Sequence, residues 1–172
     1  EALAANHWPA EAQTARLSDL HSHPPLLQVE GLKVSFPVAQ GWFSKAKDYV
    51  RAVDDVSFNV YPGETVGLVG ESGCGKTTLG RALVRLMTPA AGRMLFAGQD
   101  WGALEGAALR KARKHIQMVF QDPYGSLNPR MTVGQMLTEP MAVHGLGANA
   151  AERRARAFRL LEKVGLEPDC YD

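Results

Sequence analysis

Apolar and polar positions alternate along two stretches of the N-terminal half. Residues 26–36 (LLQVEGLKVSF) alternate in part, and residues 49–60 (YVRAVDDVSFNV) put Val56, Phe58 and Val60 on one face. A period of two predicts half-buried strands. They are joined by a polar loop at 37–48 that carries Trp42 and Phe43. After a turn at 61–64 comes an apolar run, 66–69, without alternation, the pattern of a strand covered on both faces. Two strands ahead of a buried one predict an antiparallel β-layer beside it.

The period then becomes helical. Residues 76–87 (KTTLGRALVRLM) carry Leu79, Leu83 and Leu86 as an apolar stripe, and residues 88–92 (TPAAG) stop the helix. RMLFAG returns as a short strand. Gln99 and Asp100 lead into a mixed helix at 101–114, whose Arg/Lys run at 110–114 suits a solvated C-terminal end. HIQMVF (115–120) predicts a buried strand that delivers Gln121, Asp122 and Pro123 to an irregular segment ending near Met131. Residues 132–144 and 149–164 predict two helices around Gly145 and Gly147. In the second, Ala151, Ala155, Phe158 and Leu161 face one way, and Arg153, Arg154, Arg156 and Arg159 stay in water.

Composition bounds these readings. The 172 residues are 45% hydrophobic and 22% charged with a net charge of +1, ordinary for one globular domain and without the basic excess of a nucleic-acid binder. Cys74 and Cys170 form neither a disulfide framework nor a metal spacing, which points to a reducing compartment. No apolar run approaches the ~20 residues that cross a bilayer. Residues 1–25 read as a linker or weak helix ended by Pro24 and Pro25, with the pair His21 and His23 as spectators and Trp8 packing on a partner or on nothing. The segment has no secretory pattern and no initial Met, which suggests a processed or excised piece.

The strongest chemical signal lies between the apolar run and the first helix. Gly70, Glu71, Ser72, Gly73, Cys74, Gly75, Lys76 and Thr77 match G-x-x-x-x-G-K-[ST], the loop that wraps a nucleoside triphosphate. A polyphosphate must be met by many donors at close range. Glycines let the backbone turn without a Cβ in the way, and amides from Gly73 to Thr78 can point inward at a helix N-terminus. Lys76 reaches the β- and γ-phosphates as a point charge, Thr77 offers a hydroxyl to Mg²⁺, and Thr78 is a further phosphate contact. Cys74 occupies a free position of the pattern.

Beyond that loop, AVDDVSF (52–58), GETVGLVGESGCGKTTLGRAL (63–83), VFQDPYGSLNPRMTVGQ (119–135) and LLEKVGLEP (160–168) resemble the ATP-binding subunits of ATP-binding cassette (ABC) transporters, most closely the oligopeptide/dipeptide import branch. Order and spacing agree from about residue 26 onward. The resemblance implies an α/β P-loop NTPase core with an antiparallel β-layer at 26–121, and the start of a helical subdomain at 122–172. It implies ATP and Mg²⁺ as ligands, with Gln121 as the glutamine that contacts Mg²⁺ or the attacking water. It implies an aromatic stacked on adenine: Phe36 if 37–48 is an insertion, otherwise Tyr49, although alternation explains Phe36 equally well as core. Implied partners are membrane permease subunits, a second nucleotide-binding subunit and, indirectly, a solute-binding protein, at the cytoplasmic face of the inner membrane.

The family next carries a signature motif, an acidic strand with the catalytic Glu, and a switch His. The 172 residues stop before all three, so the expected site is half of a catalytic site, expected to bind ATP weakly and not to turn it over alone. The lead before residue 26 would suit the second half of a fused double cassette. Two other classes stay open: a P-loop kinase or GTPase-like switch, for which no N-K-x-D motif is present, and a non-catalytic nucleotide-binding fragment. The transported solute is not legible.

Overall fold

The computed structural model describes residues 9–37 and 49–172. Trp8 and the loop at 38–48, with Trp42 and Phe43, lie outside the described residues. The fold divides into two units, one ending at Arg110 and the other Lys111–Asp172.

In the first unit, β1 (Leu27–Pro37) and β2 (Tyr49–Val60) pair antiparallel, from Leu27 opposite Val60 to Pro37 opposite Tyr49. On the other side of β1 lies β3 (Ala91–Phe96), with Val29 opposite Met94, and then β4 (Gln99–Asp100), giving the order β2-β1-β3-β4. This is the antiparallel layer that the alternation predicts. Being central, β1 has both edges paired, and its inward side chains Val29, Leu32 and Val34 are buried. The register slips between Val29 and Leu32, where Gly31 has φ +56° and its N–H donates to the Ser57 hydroxyl at 2.8 Å. Such a bulge bends and twists the pair.

Ahead of the sheet, residues 10–21 form a helix, α1 (Ala10–His21), none of whose residues is buried. His21 stacks on Tyr61 at 4.5 Å and reaches the Glu64 carboxylate at 3.8 Å, while His23 Nδ1 meets the Asp19 carbonyl at 3.1 Å. Among the described residues no cluster of His, Cys, Asp or Glu could hold a metal ion.

Four predicted elements need correction. The first helix, α2 (Lys76–Leu83), ends earlier than 87 because Arg85 adopts φ +58°; its N–H donates to the Ala82 carbonyl, and the Leu86 N–H to that of Arg81. That left-handed closure makes Leu79 and Ala82 the buried positions and leaves Leu86 exposed. The helix expected at 101–114 begins later, as α3 (Gly106–Ala112) with a 3-10 turn at Arg113–His115, because Trp101 is buried and Asp100 accepts the Ala103 N–H to make a turn. The Arg/Lys run at 110–114 sits on its exposed end.

The strands expected at 66–69 and 115–120 do not form. Among the described residues no strand pairs with either segment, and Val69 and Val119 are 92% and 95% exposed. An apolar run declares a need for burial but does not supply the neighbour whose N–H and C=O groups complete a ladder.

The second unit is helical. After a short α4 (Pro123–Ser126) come α5 (Val133–Val143) and α6 (Ala150–Lys163), within a residue or so of the predicted pair. Their starts are encoded locally. Thr132 accepts the Gln135 N–H, and Gln135 Oε1 accepts the Thr132 N–H at 2.9 Å, a capping box; Asn149 accepts the Glu152 N–H at 2.9 Å. Met141 on α5 and Ala157 and Leu161 on α6 are buried. The predicted stripe on α6 is corrected accordingly, since Ala151 and Ala155 are exposed. The turn Pro168–Tyr171 brings Tyr171 to 4.9 Å from Phe158 and re-aims the face. Of its arginines, Arg154 and Arg159 are exposed as expected, Arg154 over the Tyr171 ring, while Arg153 donates to the Gly147 carbonyl and Arg156 pairs with Glu152 at 2.8 Å, both half-buried.

Candidate functional site

The loop at 70–78 is built where α2 meets β2. Gly75 caps the helix with φ +97°, and a Cβ there would lie 2.2 Å from the Ala52 carbonyl oxygen. Only glycine lets the loop end rest on β2 with that backbone. The helical bonds begin with the Leu79 N–H to the Gly75 carbonyl at 2.8 Å. The amides of Lys76, Thr77 and Thr78 therefore sit in the first turn with no acceptor inside the helix, at its positive end.

Lys76 folds back across the loop. Its ammonium donates to the carbonyls of Gly70 at 2.7 Å and Glu71 at 2.6 Å, and lies 3.7 Å from Cys74 Sγ. The Cys74 N–H closes the turn onto the Glu71 carbonyl at 3.3 Å. Among the described residues no carboxylate pairs with Lys76, so its charge is oriented by dipoles and left uncompensated. Glu71, Ser72, Gly73, Cys74 and Thr77 are exposed; Lys76 and Thr78 are half-buried. A helix start with three unspent amides, no Cβ at the tightest point of the loop and a lysine across its mouth fits a polyphosphate. The exposed Thr77 hydroxyl on the first helical turn fits a hard, oxygen-seeking cation such as Mg²⁺.

Phe36 lies opposite Val50 near the end of β1, and Tyr49 opposite Pro37. Phe36 is 38% exposed and Tyr49 is 56% exposed, so neither is a core side chain. Val50 is two residues from Ala52, ~7 Å along the strand. The β1–β2 end that carries both aromatics thus belongs to the same unit as the loop and runs close to it. Gln121 belongs to the second unit, exposed between the unpaired segment and α4; its neighbour Asp122 accepts the Gly125 N–H at 3.0 Å. Reasoning from the pattern missed the Ala52 carbonyl behind Gly75, and missed Arg85 and Trp101 at the far end of α2; no motif marks any of them.

Residues 53–171 match the family model described as ABC transporter. The chain is 48% identical over 145 residues to a glutathione import ATP-binding protein of Salmonella paratyphi A, covering 84% of this chain and 23% of that protein. It is 50% identical over 144 residues to a probable peptide ABC transporter ATP-binding protein of Sinorhizobium fredii, covering 84% and 40%. It is 47% identical over 144 residues to an oligopeptide transport ATP-binding protein of Bacillus subtilis, covering 83% and 44%. The chain thus spans less than half the length of these relatives. Its fold matches a dimeric ATP-binding cassette solved with ADP and Pi, with a TM-score of 0.68 and 23% identity over 84% of this chain and 60% of that one. With the family model matching most of its length, and nucleotide-binding cassettes sharing its fold, the chain belongs to the ABC transporter ATP-binding family.

Proposed function

We propose that this chain supplies the phosphate-binding half of an ATPase site that powers import of peptides or a related small solute. The observation that carries the reading is the Gly75–Lys76 arrangement: free amides at a helix start, with an uncompensated ammonium across them. ATP entering the loop would draw Lys76 from the Gly70 and Glu71 carbonyls onto the β- and γ-phosphates, exchanging dipoles for full charges. The amides of Lys76, Thr77 and Thr78 hold the remaining oxygens, and Thr77 would hold Mg²⁺ by its hydroxyl. The metal, when bound, neutralises charge on the transferring phosphoryl group. Phe36, or Tyr49 beside it, offers a ring for adenine.

Transfer to water also needs a proton acceptor. Asp54, tied to Lys33 and Arg51 at 3.2 Å each, is a poor one. The relatives' names support an import system for peptides or glutathione. Permease subunits in the inner membrane, a second nucleotide-binding subunit and a solute-binding protein complete the reading, with this chain peripheral on the cytoplasmic face. No described helix is long and apolar enough to cross a membrane.

The test is Mg-ATP binding by calorimetry, comparing the chain with Lys76→Ala. Losing a charge-assisted contact should weaken binding about tenfold or more. Equal affinity in the two would remove the loop as the phosphate site.

A further inference from the structure

Two side chains far from the phosphate loop hold the opposite end of its helix. α2 has only two turns, and its core-facing residues are Leu79 and Ala82. So short an element cannot fix its own direction; something must hold each end. At the start, Gly75 rests on the Ala52 carbonyl. At the finish, the last helical carbonyl, that of Leu83, accepts the Trp101 indole N–H at 2.8 Å. Arg85, just beyond it, sends its guanidinium to the carbonyls of Trp101, Gly102 and Leu104, the first at 2.9 Å and the last at 3.2 Å.

The anchor is itself anchored. Trp101 is 2% exposed, its backbone N–H donates to the Met94 carbonyl at 2.9 Å, and its ring lies 5.6 Å from that of Phe96. Met94 sits opposite Val29 on the central strand. A continuous path of packed and hydrogen-bonded groups therefore runs from β1 through β3 and Trp101 to the C-terminal end of α2.

We propose that Trp101 and Arg85 are positioning residues for nucleotide binding. They set the direction of α2, and with it the place of the phosphate-facing amides relative to the β-layer that carries Phe36 and Tyr49. This rests on the reading of the 70–78 loop as the phosphate site. A ligand that touches both the loop and the β-layer depends on the spacing between them, whereas a ligand that touches the loop alone does not. The tether thus matters for ATP and matters little for inorganic tripolyphosphate.

The experiment measures Kd for Mg-ATP and for Mg-tripolyphosphate in the full chain and in Trp101→Phe, which keeps an aromatic body and loses the indole N–H. Arg85→Lys, which keeps the charge and loses the planar fork, is the second variant. Retention of fold is checked by circular dichroism and thermal melting. Removing one hydrogen bond at the tether should weaken ATP about fivefold, while tripolyphosphate changes by less than about twofold. An unchanged ATP affinity overturns the proposal, as does equal weakening of both ligands, which is what a simple loss of folded protein gives. Loss of fold in both variants also overturns it. If the unaltered chain binds ATP no better than Lys76→Ala does, the phosphate-site reading has failed and this inference falls with it.

Discussion

β1 and the segment at 66–69 are both rich in Val and Leu, and they end in opposite conditions. β1 is paired along both edges, and Leu32 is 0% exposed. The second segment is unpaired, with Leu68 and Val69 at 56% and 92% exposure. The difference is neither hydrophobicity nor β-propensity. β1 finds two antiparallel neighbours, β2 next along the chain and β3 beyond α2, and the other segment finds none among the described residues. A strand is a relation between segments, so composition predicts the candidate and topology decides the outcome.

The sharpest way to break this comparison is to remove the same kind of side chain from each. Leu32→Ala leaves a cavity in a closed core and should cost about 3 kcal/mol. Val69→Ala should change stability by under about 0.5 kcal/mol. Urea unfolding of both variants measures the difference. A Val69→Ala cost near that of Leu32→Ala would mean that 66–69 is buried in solution after all.

Much of the fold could be read in advance where the signal is local. The capping residues Thr132 and Asn149 sit at the starts of α5 and α6 because their side chains satisfy amides three residues on, a rule that needs no tertiary knowledge. The alternation at 49–60 likewise marked β2. The phosphate loop was legible for the same reason, since Gly75, Lys76 and Thr77 act within one turn of backbone. What was hidden depends on long-range contact. Nothing near Arg85 announces that it will take a left-handed backbone and reach carbonyls around residue 102. The stripe on α6 shifted because Tyr171, from a later turn, packs against Phe158. Sequence periodicity fixes which residues share a face, but the neighbour decides which face is covered.

The boundary between the two regions supplies a second test, because Gly75 is where the unpaired run becomes a defined helix. Gly75→Ala places a Cβ against the Ala52 carbonyl in a left-handed backbone. The strain should cost about 2 kcal/mol and should weaken Mg-ATP binding together with stability. An alanine variant as stable as the original would show that the loop does not rest on β2. In the helical unit, where start signals are local, Asn149→Ala should cost about 1 kcal/mol by freeing the Glu152 amide. Helicity lost on heating, followed by circular dichroism, would register it. No change would mean that α6 is fixed by packing on Leu161 and Ala157 instead.

The smallest expected effect concerns the seam between β1 and β2. Asp54 on β2 faces Lys33 on β1 at 3.2 Å and Arg51 on its own strand at 3.2 Å. Hydrogen bonds from Lys33 first and Arg51 second hold its carboxyl below the ordinary value of 3.8. The folded pKa lies below the unfolded one, so the stabilisation is complete above the unfolded value and fades as pH falls through the folded one. All three groups are open to solvent, so the contribution is small and falls further with added salt. The stability gap between the chain and Asp54→Asn should therefore stay level from about pH 7 to pH 5 and close below the ordinary carboxylate range. Denaturant midpoints measured across that range decide it. A gap that widens on acidification would mean that the charged carboxylate destabilises β2, and that the edge of β1 is held by its apolar face alone.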